Sequence, residues 1–268
     1  MTKRLLIQSF LLAGFFLAGC RNMYEETAKK DTPNAIFYQA KMDMNNRDYS
    51  SAIALLQTLD PVYLAQPPVA LVYASAFSGR CGLEFVNFLT DLEGITSANS
   101  MFAFLMKEYP GATDAKISDC IFSEGILNSL GDQTQRSADE NILMGLSSLT
   151  KIGTVLSRYA DTNADGTLDP TFDHCDTTAF PDTAVRQIGS GMALAIMSIS
   201  AVASDITSDT LQDITSMCAL DPNLNVYCTN SDPNAFSQNE VDALRALIGS
   251  SQQGVGDCTG GFLTCICP

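Results

Sequence analysis

The sequence predicts an all-α protein, and three observations carry that reading. Apolar residues recur at helical spacing through segment after segment, while no alternating run of strand length occurs. Two capping boxes, Ser137-x-x-Glu140 and Ser237-x-x-Glu240, stand directly before such segments. Prolines fall between the segments or at their starts, where a missing N–H breaks no helical hydrogen bond. The 46% hydrophobic content is enough for a folded core.

The elements follow in order. Residues 34–46 carry Ile36, Phe37, Ala40 and Met44 on one face, and 49–59 carry Ala52, Ile53, Leu55, Leu56 and Leu59 before Pro61 ends the run. Pro67 and Pro68 open a helix through Phe77. A polar break at Ser78-Gly79-Arg80-Cys81-Gly82 precedes a helix over 83–92. Short and medium helices are expected over 101–109 and 115–130, ended by Pro110 and Gly131. The longest, 137–159, leads into an Asp-rich loop, 161–181. Residues 183–206 are small and apolar, but their core of about eleven residues falls short of the ~20 that span a bilayer, so a central buried helix is expected. A short helix over 210–217 and a capped one over 237–248 follow, and Gly249 stops the latter. The helical domain thus covers 34–253, and 254–268 form an irregular Gly- and Cys-rich tail.

Ahead of this body, Lys3 and Arg4 precede an apolar run from Leu5 to Leu17, and Leu17-Ala18-Gly19-Cys20 closes it. The three-part layout is that of a secretory signal peptide over residues 1–19. The last four residues resemble the lipobox of bacterial lipoproteins. That resemblance implies a diacylglyceryl thioether on Cys20, usually with a third acyl chain on its new amino group. Several chains anchor stably, since each buried methylene contributes roughly 0.8 kcal/mol. Residues 20–33 then form a lipidated cysteine and polar tether. Arg21 stands where inner-membrane lipoproteins commonly have Asp, so the resemblance implies the outer membrane.

Removing residues 1–19 takes the net charge from −15 to about −17. Such a balance argues against nucleic-acid binding, which needs Lys and Arg to displace counterions. Of nine cysteines, eight remain beside Cys20: Cys81, Cys120, Cys175, Cys218, Cys228, Cys258, Cys265 and Cys267. An even set in an exported chain reads as up to four disulfides. A zinc site is disfavoured, because Cys265-x-Cys267 lacks zinc-knuckle spacing and His174 is the sole histidine. Pairings of Cys218 with Cys228, Cys258 with Cys265 or Cys267, and Cys81 with Cys120 are the candidates. His174 reads as a surface loop residue.

Ala40 and Ala74 lie 34 residues apart, as do Tyr49 and Leu83, and Ala52 and Val86. Both units break at a polar stretch in the same phase, Asn45-Asn46-Arg47-Asp48 in the first. The unit from Ala40 through Asp48-Tyr49-Ser50-Ser51-Ala52 resembles a tetratricopeptide repeat, which implies stacked antiparallel hairpins over 34–92 and a surface for holding protein partners.

Asp161-Thr162-Asn163-Ala164-Asp165-Gly166-Thr167-Leu168-Asp169 fits the first nine positions of an EF-hand-like calcium loop. Oxygens of Asp161, Asn163 and Asp165 occupy positions 1, 3 and 5. Gly166 permits the turn, the Thr167 carbonyl and Asp169 supply positions 7 and 9, and Leu168 should face the core. Phe172 replaces the bidentate acid at position 12, with Asp173 one residue later. A structural calcium ion is expected. No Gly-x-Ser-x-Gly, phosphate loop or His-Glu-x-x-His occurs. The expected function is therefore non-enzymatic: a lipid-anchored, periplasm-facing scaffold or assembly adaptor with a protein partner in the envelope. The alternative is a transporter-associated lipoprotein that binds a small ligand, with the small residues between Gly189 and Ala203 lining a groove.

Overall fold

The computed structural model describes residues 31–93, 101–202, 222–252, 254–259 and 262–267. Cys20, the segment before it, most of the tether, Cys218 and the helix expected over 210–217 lie outside the described residues. Within them the chain is helical, with no β-strand and a single isolated bridge between Ser250 and Cys258.

The elements begin with α1 (Pro33–Asn45), where Pro33 opens the first turn and the Thr32 hydroxyl accepts from the Ala35 amide at 3.2 Å. Arg47 turns the chain at φ +60°, and the Asp48 carboxylate caps α2 (Tyr49–Leu56) through the Ser51 amide at 3.1 Å. Ala40 and Ala52, both without exposed surface, let α1 and α2 approach closely. Pro61 does not only end α2. Capped by Asp60, it starts a one-turn helix, α3 (Pro61–Leu64).

Helix α4 (Pro67–Cys81) corrects the sequence reading. The stretch from Ser78 to Cys81, expected as a polar break, is helix, and only Gly82, at φ +128°, turns. The polar side chains there meet other helices instead of solvent. Ser78 hydrogen-bonds the hydroxyls of Ser123 and Ser147, Arg80 grips Asp119 with two bonds at 2.8 and 2.7 Å, and Gly79 leaves room for the Tyr49 ring. After α4 come α5 (Phe85–Glu93) and α6 (Met101–Glu108). Val86, the 34-residue partner of buried Ala52, is 73% exposed, so the repeat phase is not kept in the packing there.

Helices α7 (Asp114–Asn128), α8 (Ala138–Ala160) and α9 (Asp182–Val202) form the centre, followed by α10 (Gln238–Gly249). Both expected capping boxes are formed, at Ser137–Glu140 and Ser237–Glu240. Helix α8 packs against α4, α6, α7 and α9 together. Helix α9 is long and apolar enough to cross a membrane, but most of its apolar surface is buried inside the protein, as a central helix requires. Gly189 accepts the Tyr227 ring and Gly191 lies against the Ser148 carbonyl and Ile152, so these small residues serve close packing. Between α6, α8 and α9 the residual cavity is about 10 Å³, room for at most one water.

Among the described residues, three cysteine pairs stand at disulfide distance. Cys81 and Cys120 (Cα–Cα 5.3 Å) tie α4 to α7, and Cys258 and Cys265 (5.9 Å) close a loop in the tail. Cys175 and Cys267 (5.4 Å) fasten the tail to the loop after α8, a pairing the sequence had not singled out. Cys228 is also disulfide-bonded.

The α6–α8 contact rests on Gly153, where a Cβ would come within 3.0 Å of both the Leu105 carbonyl and the Tyr109 ring. Gly153→Ala should therefore lower stability by about 1–3 kcal/mol through overpacking. Gly125, exposed in α7 with nothing near its absent Cβ, is the control: Gly125→Ala should raise stability by about 0.5–1 kcal/mol. Urea unfolding midpoints of both variants check the opposite signs.

Candidate functional site

The Asp-rich loop begins where α8 ends, and its aspartates fold it. The Asp161 carboxylate accepts from the amides of Asp165 and Gly166, both at 3.0 Å, and Asn163 Oδ1 accepts from Asp165 at 3.0 Å. Asp165 accepts from the Thr167 amide at 2.8 Å and from its hydroxyl. These bonds, the hydroxyl's first, hold the Asp165 carboxyl below the usual range. Ala164 and Gly166 supply the two left-handed turns, at φ +61° and +79°. Leu168 packs against the main core.

Asp161, Asn163 and Asp165 are thus drawn around the Gly166 turn. Two of the other expected ligands, Asp169 and Asp173, are engaged by other donors. Asp169 accepts from the amide and hydroxyl of Thr162, and its own amide donates to the Ala160 carbonyl at 2.8 Å. Phe172, at the twelfth position, lies against Phe180 with centroids 5.6 Å apart, and Asp173 accepts from the Cys175 amide. Beside Asp161 a cleft of about 310 Å³ opens between α8 and the start of α7, lined by Thr113, Asp114, Ser157, Arg158 and Thr162 among others. The Ser157 hydroxyl is buried there without a hydrogen-bond partner.

Behind the loop, α8 carries a second group that sequence reasoning missed. Lys151, fully buried, donates to Glu124 Oε2 at 2.6 Å and to the Ser190 hydroxyl at 3.2 Å. Ser148 donates to the other Glu124 oxygen at 2.9 Å. Three helices thereby share one buried ion pair. The partners lie 27 and 39 residues away in the chain, beyond any local spacing signal.

Arg245 closes the far end. It donates to the carbonyls of His174 (2.8 Å) and Phe180 (2.6 Å) and to Asp182 Oδ1 (2.7 Å). That bond holds the Asp182 carboxyl below its usual range. His174 is not the plain surface residue its neighbours in sequence implied. It is half-buried, its Nε2 lies 2.9 Å from the Cys265 carbonyl, and its ring lies flat on Gly249. Among the described residues, one group of three His, Cys, Asp or Glu side chains has its ligand atoms within 4.8 Å of one another: His174, Cys175 and Cys267.

Chemically, the buried ion pair has no opening toward solvent and reads as structural. The loop offers hard oxygens and the cleft beside it a small polar surface. Compared with family models, with curated proteins and with solved structures, the chain finds no match.

Breaking the buried pair from one side should be severe. Lys151→Met leaves the Glu124 carboxylate buried beside Ser148 alone, and should cost about 3–5 kcal/mol. Adding Glu124→Leu removes the stranded charge and should recover much of that loss. Urea titrations of the single and double variants check whether the two effects are non-additive in this direction.

Proposed function

We propose that the chain is a lipid-anchored helical scaffold or assembly adaptor of the bacterial envelope, without enzymatic activity, held at the outer membrane through acylated Cys20 and facing the periplasm. The observation that carries this reading is where its large apolar side chains meet solvent. Tyr38 and Met42 on α1, Val62 on α3, Phe85 and Val86 on α5 and Phe122 on α7 are all exposed. Ile121, Ile142, Leu263 and Ile266 are exposed as well, and exposed large apolar side chains are what interaction surfaces are built from. Phe122 stacks on buried Phe77 at 5.4 Å, and the Lys41 ammonium lies 5.6 Å from the Phe37 ring centre and 5.9 Å from that of Tyr38. Exposed aromatic and methionine side chains such as Tyr38, Met42 and Phe122 suit a protein partner.

The test is photo-crosslinking in intact membranes from positions Tyr38 and Phe122, with Val226, partly buried against the core, as control. A discrete adduct from the first two positions and none from Val226 is expected. Cys20→Ser should release the chain from the membrane fraction and abolish the adduct. Absence of adducts in the membrane-bound wild type overturns the adaptor reading.

The alternative, a transporter-associated small-ligand-binding lipoprotein, draws its support from the 310 Å³ cleft with the unpartnered Ser157 hydroxyl beside Asp161. The tightly filled interior along α9 gives it none.

The same cleft edge motivates a structural calcium ion. Asp161, Asn163 and Asp165 with the Thr167 carbonyl would hold it, and neither Asp169 nor Asp173 need move for weak binding. A dissociation constant near ~0.1–1 mM is expected, as in extracellular modules. Millimolar calcium should raise the melting midpoint of the wild type and leave Asp161→Ala/Asp165→Ala unchanged, while magnesium does less. Equal responses in both proteins reduce the loop to a solvated turn.

A further inference from the structure

We propose that His174, Cys175 and Cys267 form a zinc site whose ligands are released by reduction of the Cys175–Cys267 disulfide, so that disulfide and metal are alternative staples between tail and loop. Three observations carry it. The ligand atoms of the three residues already lie within 4.8 Å of one another, although the chain separates Cys175 and Cys267 by 92 residues. Two sulfurs and one imidazole nitrogen are a donor set that zinc takes in tetrahedral coordination, with water in the fourth position.

The second observation is the state of the imidazole. A carbonyl only accepts, so the His174 Nε2 that meets the Cys265 carbonyl at 2.9 Å carries the proton, and the lone pair is on Nδ1. A ligating histidine commonly donates its other N–H to a carbonyl in this way, which fixes its tautomer and orientation. The third is that the site does not depend on the disulfide for its assembly. Arg245 holds the His174 carbonyl at 2.8 Å, Gly249 lies against the ring, and the tail is held without sulfur by backbone bonds of Cys258 to Ser251 and Gly249 and by the Cys265 carbonyl on His174, two residues before Cys267. Cα atoms 5.4 Å apart permit two thiolates about 3.8 Å from each other, the edge of a tetrahedron with Zn–S bonds of ~2.3 Å.

The chemistry balances with a dithiol as reductant. Its two thiols give two electrons and two protons to the Cys175–Cys267 bond, leaving two cysteine thiols and a cyclic disulfide. Zinc(II) then displaces both thiol protons. No electron moves in that second step, and the neutral imidazole joins the two thiolates to leave the site uncharged.

Cobalt(II) is the probe, because tetrahedral thiolate coordination gives it a strong charge-transfer band and intense visible bands. The full chain is reduced with a dithiol, freed of reductant without oxygen, and titrated with cobalt, then with zinc. Reduced wild type and Cys258→Ser/Cys265→Ser should each bind one cobalt with these bands, and zinc should erase them. The oxidised protein and reduced Cys267→Ser should show none, and His174→Ala should bind at least about tenfold more weakly. Absence of the bands in reduced wild type overturns the proposal. So do bands undiminished in both His174→Ala and Cys267→Ser, which would assign the metal to other thiols. Loss of helical circular dichroism on reduction overturns it as well, since the site would then not outlast its disulfide.

Discussion

The fold depends on α8 being enclosed by other helices while still carrying polar side chains. On the buried stretch of such a helix water cannot satisfy a hydroxyl or ammonium, so the neighbours supply partners to all but the Ser157 hydroxyl. Helix α7 brings Glu124 to Lys151 and Ser148, and Ser123 to the Ser78 and Ser147 hydroxyls. The residue that follows α6, Tyr109, reaches Thr150 at 2.9 Å, and α9 brings Ser190 to Lys151. These contacts are directional, and a one-turn slip of any neighbour would strand a charge or a hydroxyl. Apolar packing makes the bundle stable, while this set of bonds fixes the register. Arg136 repeats the device at the other end of α8, where it joins Asn128, the Gly131 carbonyl, Asn141 and Ser198.

That constraint also decides what the sequence made legible. Helix limits were readable because their signals are local: Ser137 and Glu140 sit three apart, as do Ser237 and Glu240, and each pair closes its own helix start. The first half of the Asp-rich loop was readable for the same reason, since Asp161, Asn163 and Asp165 bond amides within five residues. Ser78 and Arg80 were misread because they have the chemistry of a turn, and only their partners on α7 and α8, 39 to 69 residues away, make them helix interior. Asp169 has the right spacing for a metal and Asp173 falls one residue past it, but nearer donors, Thr162 and the Cys175 amide, engage them. His174 gave no signal at all. Its surroundings come from Arg245, Gly249 and Cys265, which the topology alone brings to it.

The two ends of the molecule are held by different means. The C-terminal part is fastened covalently and by charge: Cys175–Cys267, Cys258–Cys265 and Arg245 on Asp182 all converge on the loop between α8 and α9 and on the tail. The N-terminal hairpins are held by their own apolar cluster around Leu56 and Phe77 and, on α4, by the Cys81–Cys120 link, Arg80 on Asp119 and the Ser78 hydroxyl, and they leave Tyr38, Met42, Phe85 and Val86 in solvent.

The proposed anchor adds a geometric limit to the adaptor reading. Twelve residues separate Cys20 from Pro33, the first residue of α1. Fully extended, they reach at most about 40 Å, at ~3.3–3.6 Å per residue. The exposed side chains of α1 begin within two turns of that tether, so a partner docking there would be met close to the bilayer surface. With that anchor, the net charge of about −17 without residues 1–19 would resist flat adsorption of the body on anionic lipid and leave the acyl chains as its hold on the membrane.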